Sequence, residues 1–199
     1  MKTQIDSVSY SLGVNIGTNL KGQGFGDINL ATMMKAMEDV MGGKTLAINE
    51  EDANQTIQNY FATLMEKKAG EAKGKGEAFL AENGKKAGIT TTASGLQYEV
   101  MKMGEGPKPL ATDKVTVHYH GTLIDGTVFD SSVERGQPAT FPLNGVIAGW
   151  TEALQLMPVG SKFRIFLPSD LAYGERGAGQ LIGPNSTLIF EVELLSIDK

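Results

Sequence analysis

Leu188-Ile189-Phe190-Glu191-Val192-Glu193-Leu194 is the stretch from which the fold can be read. Leu188, Phe190, Val192 and Leu194 fall on one side of an extended chain, and Ile189, Glu191 and Glu193 on the other. That period of two marks a strand with one buried face. The pattern recurs three times upstream. Leu96, Tyr98 and Val100 alternate with Gln97, Glu99 and Met101. Val115, Val117, Tyr119 and Gly121 alternate with Thr116, His118 and His120. Phe163, Ile165 and Leu167 alternate with Lys162, Arg164 and Phe166. One apolar face per strand predicts an antiparallel sheet with one covered side.

Working outward, Asp125-Gly126 between Leu123 and Val128 reads as a type I′ hairpin turn. From Val146 to Met157 the alternation breaks. Trp150, Leu154 and Met157 share a helical face there, and Pro158-Val159-Gly160 stops the helix. One short helix on a curved antiparallel sheet is an α+β arrangement.

Further upstream the period changes to that of a helix. Val8, Leu12, Ile16 and Leu20 recur at four-residue steps, and Leu30, Met33, Met34, Met37 and Met41 follow the spacing of an amphipathic helix. A loop at Gly22-Gln23-Gly24-Phe25-Gly26-Asp27 separates them. Asn49 reads as an N-cap, with Glu50, Glu51 and Asp52 in the first turn of a third helix that aligns Ala53, Ile57, Phe61, Leu64 and Met65. From Glu66 to Gly88 the charges alternate in sign and large apolar residues are few, Phe79 and Leu80. This reads as a solvated helical connector that bends near Gly74 to Gly76, each Gly costing it about 1 kcal/mol relative to Ala. Three segments follow: a helical region 1–65, a connector 66–88 and a sheet domain 89–199.

Composition narrows the chemistry. The 199 residues carry a net charge of −5 without a long block of like charge, which argues against a nucleic-acid partner. There is no cysteine, so disulfides, thiol catalysis and cysteine zinc sites are excluded. The first residues turn polar and acidic at once, unlike a secretory signal, and no apolar run approaches the roughly 20 residues of a membrane span. The expected compartment is the cytoplasm, with the periplasm or export as the alternative for a mature form whose signal has been removed. His118 and His120 share a strand face. With no third ligand in evidence they read as solvated or hydrogen-bonded histidines rather than a metal pair.

No nucleophile–base pair sits in a recognisable catalytic motif. What the sheet domain offers is aromatic and branched residues beside a few polar ones, and pattern alone assigns most of these to the core. The strings around them say more. Val117-His118-Tyr119-His120-Gly121-Thr122-Leu123, Gly126-Thr127-Val128-Phe129-Asp130-Ser131-Ser132, Val146-Ile147-Ala148-Gly149-Trp150, Leu171-Ala172-Tyr173-Gly174 and Leu188-Ile189-Phe190-Glu191-Val192-Glu193-Leu194-Leu195 occur in that order within one domain. Together they resemble the FKBP-type peptidyl-prolyl cis–trans isomerase family. The helical region, from Ser9-Tyr10-Ser11-Leu12-Gly13 to Phe61-Ala62-Thr63-Leu64, resembles the dimerisation domain that precedes the isomerase in Mip-like, FkpA-like and FklB-like bacterial proteins.

The resemblance implies a half-barrel of five to six strands wrapped around one short helix, with the active site between them. It implies that Trp150 floors the pocket, and that Tyr119, Phe129, Phe141, Val146, Ile147 and Phe190 line it together with Leu181 and Ile182. It further implies Asp130 at the wall, held with Tyr119 by Arg135. The Ile147 N–H and the Tyr173 hydroxyl would bond carbonyls of the substrate. The implied activity is rotation of X-Pro bonds in folding polypeptides, with chaperone activity beside it. A holdase in which catalysis is secondary is the alternative. The implied partners are Pro-containing chains, a second copy bound through the N-terminal helices, and macrolide inhibitors, with no cofactor, metal, nucleic acid or membrane. A Met-rich helix such as Met33 to Met41 is commonly core. Here a dimer core is the favoured reading, because three small helices bury too little surface alone. Ala139 departs from the family, whose small members carry an aromatic residue there. So do Ala148 and Gly183, where relatives with this N-terminal region often have Pro.

Overall fold

The protein is described by a computed structural model covering residues 2–198. Met1 and Lys199, the outer ends of the expected first and third segments, lie outside the described residues. The chain divides between Gln58 and Asn59 into two compact units.

The first unit holds α1 (Gln4–Gln23), α2 (Leu30–Met41) and the start of α3 (Glu50–Asn83). Each begins at a side-chain cap that satisfies first-turn N–H groups. Thr3 Oγ1 accepts from the Asp6 N–H at 3.1 Å while the Asp6 carboxylate accepts from the Thr3 N–H at 3.0 Å. Asn29 accepts from the Thr32 N–H at 3.0 Å, and Asn49 from the Asp52 N–H at 2.8 Å. α1 runs on to Gln23 and stops at Gly24, so the expected loop begins later than the Gly22 read from composition. Among the described residues of this unit the single buried side chain is Asp39, paired with Lys35 and Lys44. The apolar faces expected from periodicity are only partly covered: Ile16, Leu20 and Met33 are half-buried, while Leu12 is 57% exposed and Met34 62%.

The second unit is an antiparallel sheet of seven segments: β1 (Ile89–Thr91), β2 (Gln97–Lys102), β3 (Lys114–Leu123), β4 (Val128–Ser131), β5 (Ala139–Pro142), β6 (Lys162–Leu167) and β7 (Leu188–Asp198). Their order is β1-β2-β6-β7-β3-β4, with β5 also on β3. β7 pairs with β3 along its whole length, Lys114↔Asp198 to Leu123↔Leu188, so β4 and β5 share the other edge of β3. The seven segments thus fill six positions. The expected periodicity holds in β3 from Val115 to Gly121 and in β7 from Leu188 to Leu194. It fails in part in the other two: Phe166 of β6 and Gln97 of β2 are buried on the face expected to be open, where Phe79 and Asn83 of α3 cover them, and Val100 of β2 is exposed.

α4 (Ala148–Leu156) lies on the apolar face of this sheet, entered through a 3-10 turn at Leu143–Gly145. Trp150, Ala153 and Leu154 are buried against Val117, Phe163, Leu167 and Val192. Each fully buried Val, Leu or Phe there contributes about 1.5–3 kcal/mol. The residues of α4 are therefore fixed by the same burial that closes the core.

Two expectations are corrected. The Asp125-Gly126 hairpin forms, but its loop is Ile124-Asp125-Gly126: the Leu123 N–H donates to the Thr127 carbonyl at 2.9 Å and the Gly126 N–H to the Leu123 carbonyl at 3.0 Å. A type I′ turn needs positive φ at both central residues. Here Gly126 has φ 87° and Asp125 does not have a positive φ. The connector, read as solvated and bent near Gly74 to Gly76, is instead continuous with α3 and packed at its end. Asn83 and Gln97, both buried, share a 3.0 Å bond, and Gln97 Nε2 donates to the Leu80 carbonyl at 2.8 Å. The Phe79 ring lies 6.0 Å from that of Phe166. Packing of this kind outweighs the low helix propensity of the glycines.

Candidate active site

The site begins with a residue that has no side chain. Gly121 of β3 sits opposite Phe190 of β7 on one side and Asp130 of β4 on the other. A Cβ at Gly121 would lie 2.6 Å from the Phe129 ring and 2.9 Å from the Phe190 ring. Its absence lets the two rings close over the strand, 5.4 Å apart and edge to face at 85°.

Neighbouring residues of a strand normally face opposite ways. β4 escapes this by a register shift: Gly121 pairs with Asp130 and Thr122 with Val128, which leaves Phe129 as the extra residue. A bulge of this kind re-aims side chains. Phe129 and Asp130 consequently line the same cleft.

That cleft has a volume of about 490 Å³. Its floor is Trp150 of α4. Around the indole stand the rings of Tyr119 at 5.2 Å, Phe190 at 5.3 Å and Phe141 at 5.8 Å, all close to perpendicular. The indole Nε1 is buried without a hydrogen-bond partner. Val146 and Ile147 form the side where the 3-10 turn passes into α4. Ile147 is the N-cap of α4, and its carbonyl accepts from Trp150 and Thr151. The first N–H groups of a helix have no acceptor within it. Tyr173, 40% exposed, and Ile182 come from the loop before β7. Ala178 and Ile182 bridge that loop through paired backbone bonds of 2.8 and 3.2 Å.

One polar cluster stands at the wall. The Tyr119 hydroxyl donates to one carboxylate oxygen of Asp130 and Arg135 donates to the other. Arg135 Nη2 also donates to the Tyr119 oxygen at 2.9 Å, with the guanidinium 5.6 Å from the Tyr119 ring centre. Burial acts to push the Asp130 carboxyl up, but the bonds from Tyr119 and Arg135 outweigh it, and the group sits below the usual carboxylate range. Burial and the bond to Asp130 push Tyr119 above its ordinary value. The bonds to Asp130 and Tyr119 raise Arg135. At neutral pH the cluster is one carboxylate, one phenol and one guanidinium.

The structure thus brings together Tyr119, Phe129, Asp130, Phe141, Val146, Ile147, Trp150, Tyr173, Ile182 and Phe190. Arg135 reaches the cleft through its two partners. Leu181 does not join them; it is 52% exposed and outside the lining, because Ile182 takes the inward position next to it. Sequence reading missed Gly145, Ala178 and Gly179 in the lining and the role of Gly121. A lone glycine in an alternating strand was the available signal for the last. His118 and His120 lie away from the cleft lining, with Nδ1 atoms 3.1 and 3.0 Å from Ser132 and Ser131. Among the described residues no group of three or more His, Asp or Glu converges on a common point.

Comparison with known proteins gives a consistent result over both units. Residues 105–195 match the family model described as FKBP-type peptidyl-prolyl cis-trans isomerase, and residues 5–100 match the domain amino-terminal to it. The outer membrane protein MIP of Legionella longbeachae is 50% identical over 206 residues, covering 100% of this chain and 88% of that protein. The FKBP-type isomerase FkpA of Aeromonas hydrophila is 52% identical over 202 residues, covering 97% of this chain and 75% of that one. The crystal structure of FkpA from Escherichia coli superposes with a TM-score of 0.80 at 35% identity, over 100% of this chain and 98% of that one. Half the residues being shared along the whole length, with both domains matched in order, the chain belongs to the FKBP-type peptidyl-prolyl cis-trans isomerase family and is an enzyme of that type.

Proposed function

We propose that the cleft above Trp150 is where the X-Pro bond turns, and that it works without covalent or proton-transfer steps. The observation that carries this reading is the indole floor, buried and edged by three aromatic rings. A peptide bond resists rotation by about 18–20 kcal/mol because resonance makes it planar and polar. Twisting the bond removes that resonance and makes the amide less polar. A dry aromatic pocket therefore disfavours the planar form relative to the twisted one. The proline ring rests on Trp150 between Phe141 and Phe190 while the preceding carbonyl rotates toward Tyr119, Phe129 and Asp130. The Ile147 N–H and the Tyr173 hydroxyl bond the flanking chain. The floor and wall contacts favour the twisted state over the planar one, while the bonds to the flanking chain hold the substrate alike in both. Arg135 holds Asp130 and Tyr119 in place, and macrolides would compete for the same cleft.

The test is a protease-coupled assay on a short X-Pro peptide with the full-length protein. Isomerisation much faster than the uncatalysed tens to hundreds of seconds, with the acceleration lost in Phe129→Ala, supports the reading. An unchanged rate in that variant would move catalysis elsewhere.

The clients are folding polypeptides with exposed prolines, and the protein acts as a homodimer with chaperone activity. What supports this is the first unit, whose described residues bury no apolar side chain. A cavity with an all-apolar lining, Met33, Ala36, Met37, Val40 and Met41, runs along α2. A second copy would cover it. The alternative, a holdase whose isomerase activity is secondary, predicts suppression of client aggregation by a Trp150 variant with no turnover. The domain limits read from pattern, 1–65, 66–88 and 89–199, are retained as the proposed functional division. Among the described residues no helix is long and apolar enough to cross a membrane. Cell fractionation tests the cytoplasmic expectation. Recovery in the periplasmic or outer-membrane fraction, in keeping with the name of the Legionella relative, replaces it.

A further inference from the structure

The loop that lines the cleft continues past it to α3. After Ile182 the chain turns at Asn185, the one non-glycine with positive φ among the described residues, at 55°. The Asn185 N–H donates back to the Gly174 carbonyl at 2.8 Å, joining the two ends of the loop. Its side-chain Nδ2 donates to the Ala69 carbonyl of α3 at 3.4 Å. Two residues on, Thr187 is buried at 5% exposure, and its side chain fills the notch that Gly76 leaves in α3. A Cβ at Gly76 would collide with Thr187 Oγ1 and stand 3.2 Å from its Cβ. The helix is a firm support here, because Leu80 and Asn83 tie it to Gln97 of β2.

We propose that Asn185 and Thr187 are positioning residues for the isomerase site. Hooked onto Ala69 and Gly76 of α3, they hold the loop so that Tyr173 and Ile182 stand across the cleft from Trp150. The hook sets how tightly the chain flanking the proline is gripped. This rests on the reading of the cleft as the X-Pro site. The floor of Trp150, Phe141 and Phe190 belongs to the sheet and α4, not to the loop. Loosening the hook therefore removes binding shared by ground and twisted states, which raises KM and spares kcat.

The experiment uses full-length protein with Asn185→Asp and Gly76→Ala, and the double variant Gly76→Ala/Thr187→Ala. Aspartate tolerates the left-handed backbone but cannot donate to the Ala69 carbonyl. Each single variant should raise KM for an X-Pro peptide by about three- to tenfold, the worth of one side-chain bond, with kcat unchanged. Amide exchange at Ala178 and Ile182 should quicken in both. Removing the Thr187 hydroxyl and methyl reopens the notch, so the double variant should return KM and exchange toward wild type. A purely helical effect of Ala could not do this. Unchanged KM and exchange in both single variants, or a fall in kcat alone, overturns the proposal. If Gly76→Ala fails to fold, Asn185→Asp decides by itself. A wild-type protein inactive on the peptide would overturn the cleft reading instead, and the exchange rates would still judge the hook.

Discussion

Asp130 binds Tyr119 through one carboxylate oxygen and Arg135 through the other, so a single acid joins a β3 side chain to one from the turn after β4. The cleft wall is polar at this point and aromatic beside it. Asp130 and Tyr173 both reach the cleft while remaining partly exposed. Neither is part of the close-packed interior.

Asp130→Ala and Tyr173→Phe should therefore lower kcat/KM without unfolding the protein. Loss of one hydrogen-bonding group to a substrate or its scaffold is worth roughly tenfold in rate. Peptide kinetics measure the fall, and a thermal melt within a few degrees of wild type shows that folding is intact. Unchanged kinetics in both variants would remove these residues from the site.

The pH dependence follows from the same cluster. The Asp130 group is held below its ordinary range and Tyr119 is pushed above its own. Neither changes charge through neutrality. Peptide activity should be nearly flat between about pH 6 and 9, the interval between ordinary carboxylate and phenol titration. The depressed Asp130 group adds stability above the unfolded aspartate value of about 3.9, and this is lost as pH falls through the folded value. Raised Tyr119 works in the other direction: its contribution is full below about pH 10 and is lost as pH climbs through the folded value. A bell-shaped rate profile near the histidine range would bring His118 and His120 back into consideration.

Two glycines separate site geometry from backbone strain. Gly121→Ala places a methyl group against the Phe129 and Phe190 rings. It should destabilise by about 1–3 kcal/mol as an overpacked core does, and reduce kcat/KM at least tenfold as the rings part. At Gly126, with φ 87° and open space around it, alanine meets only backbone strain. Gly126→Ala should cost a similar 1–2 kcal/mol and leave peptide activity untouched. Equal activity losses in the two would mean that ring placement over Gly121 is irrelevant to turnover.

Truncation tests the division of labour. A fragment 88–199 loses Phe79 from Phe166 and leaves the buried Gln97 amide without Asn83 and Leu80. It should be less stable than fragment 66–199 by about 2–5 kcal/mol, from lost aromatic burial and an unsatisfied amide. Fragment 66–199 should be monomeric by light scattering and keep most of its activity on a short peptide. On proline-limited refolding of a protein it should fall well behind the full-length chain, because the two linked sites of the proposed homodimer would raise the effective concentration of a captured client. Equal refolding per site would leave the first unit as an anchor with no part in handling clients.

Much of this architecture is written in local pattern. The alternation in β3 and β7, the helical face around Trp150, and the cap at Asn49 all arise from neighbours along the chain. Side-chain period and capping chemistry act over a few residues, so they can be read without the fold. The ordered strings around Tyr119, Phe129, Trp150, Tyr173 and Phe190 pointed to the cleft because those residues recur together in one family.

What tertiary structure decided is contact between segments far apart in sequence. Nothing local says that Gly121 must be bare for rings at 129 and 190, that a bulge turns Phe129 and Asp130 to one side, or that Ile182 and not Leu181 faces inward. The end of α3 makes the same point. Its composition is that of a solvated helix, yet Gly76 meets Thr187 and Asn83 meets Gln97. A glycine weakens an isolated helix and favours a packed one, and a buried amide is unfavourable until its partner arrives. In both cases the sign of the effect depends on a neighbour that only the folded chain supplies.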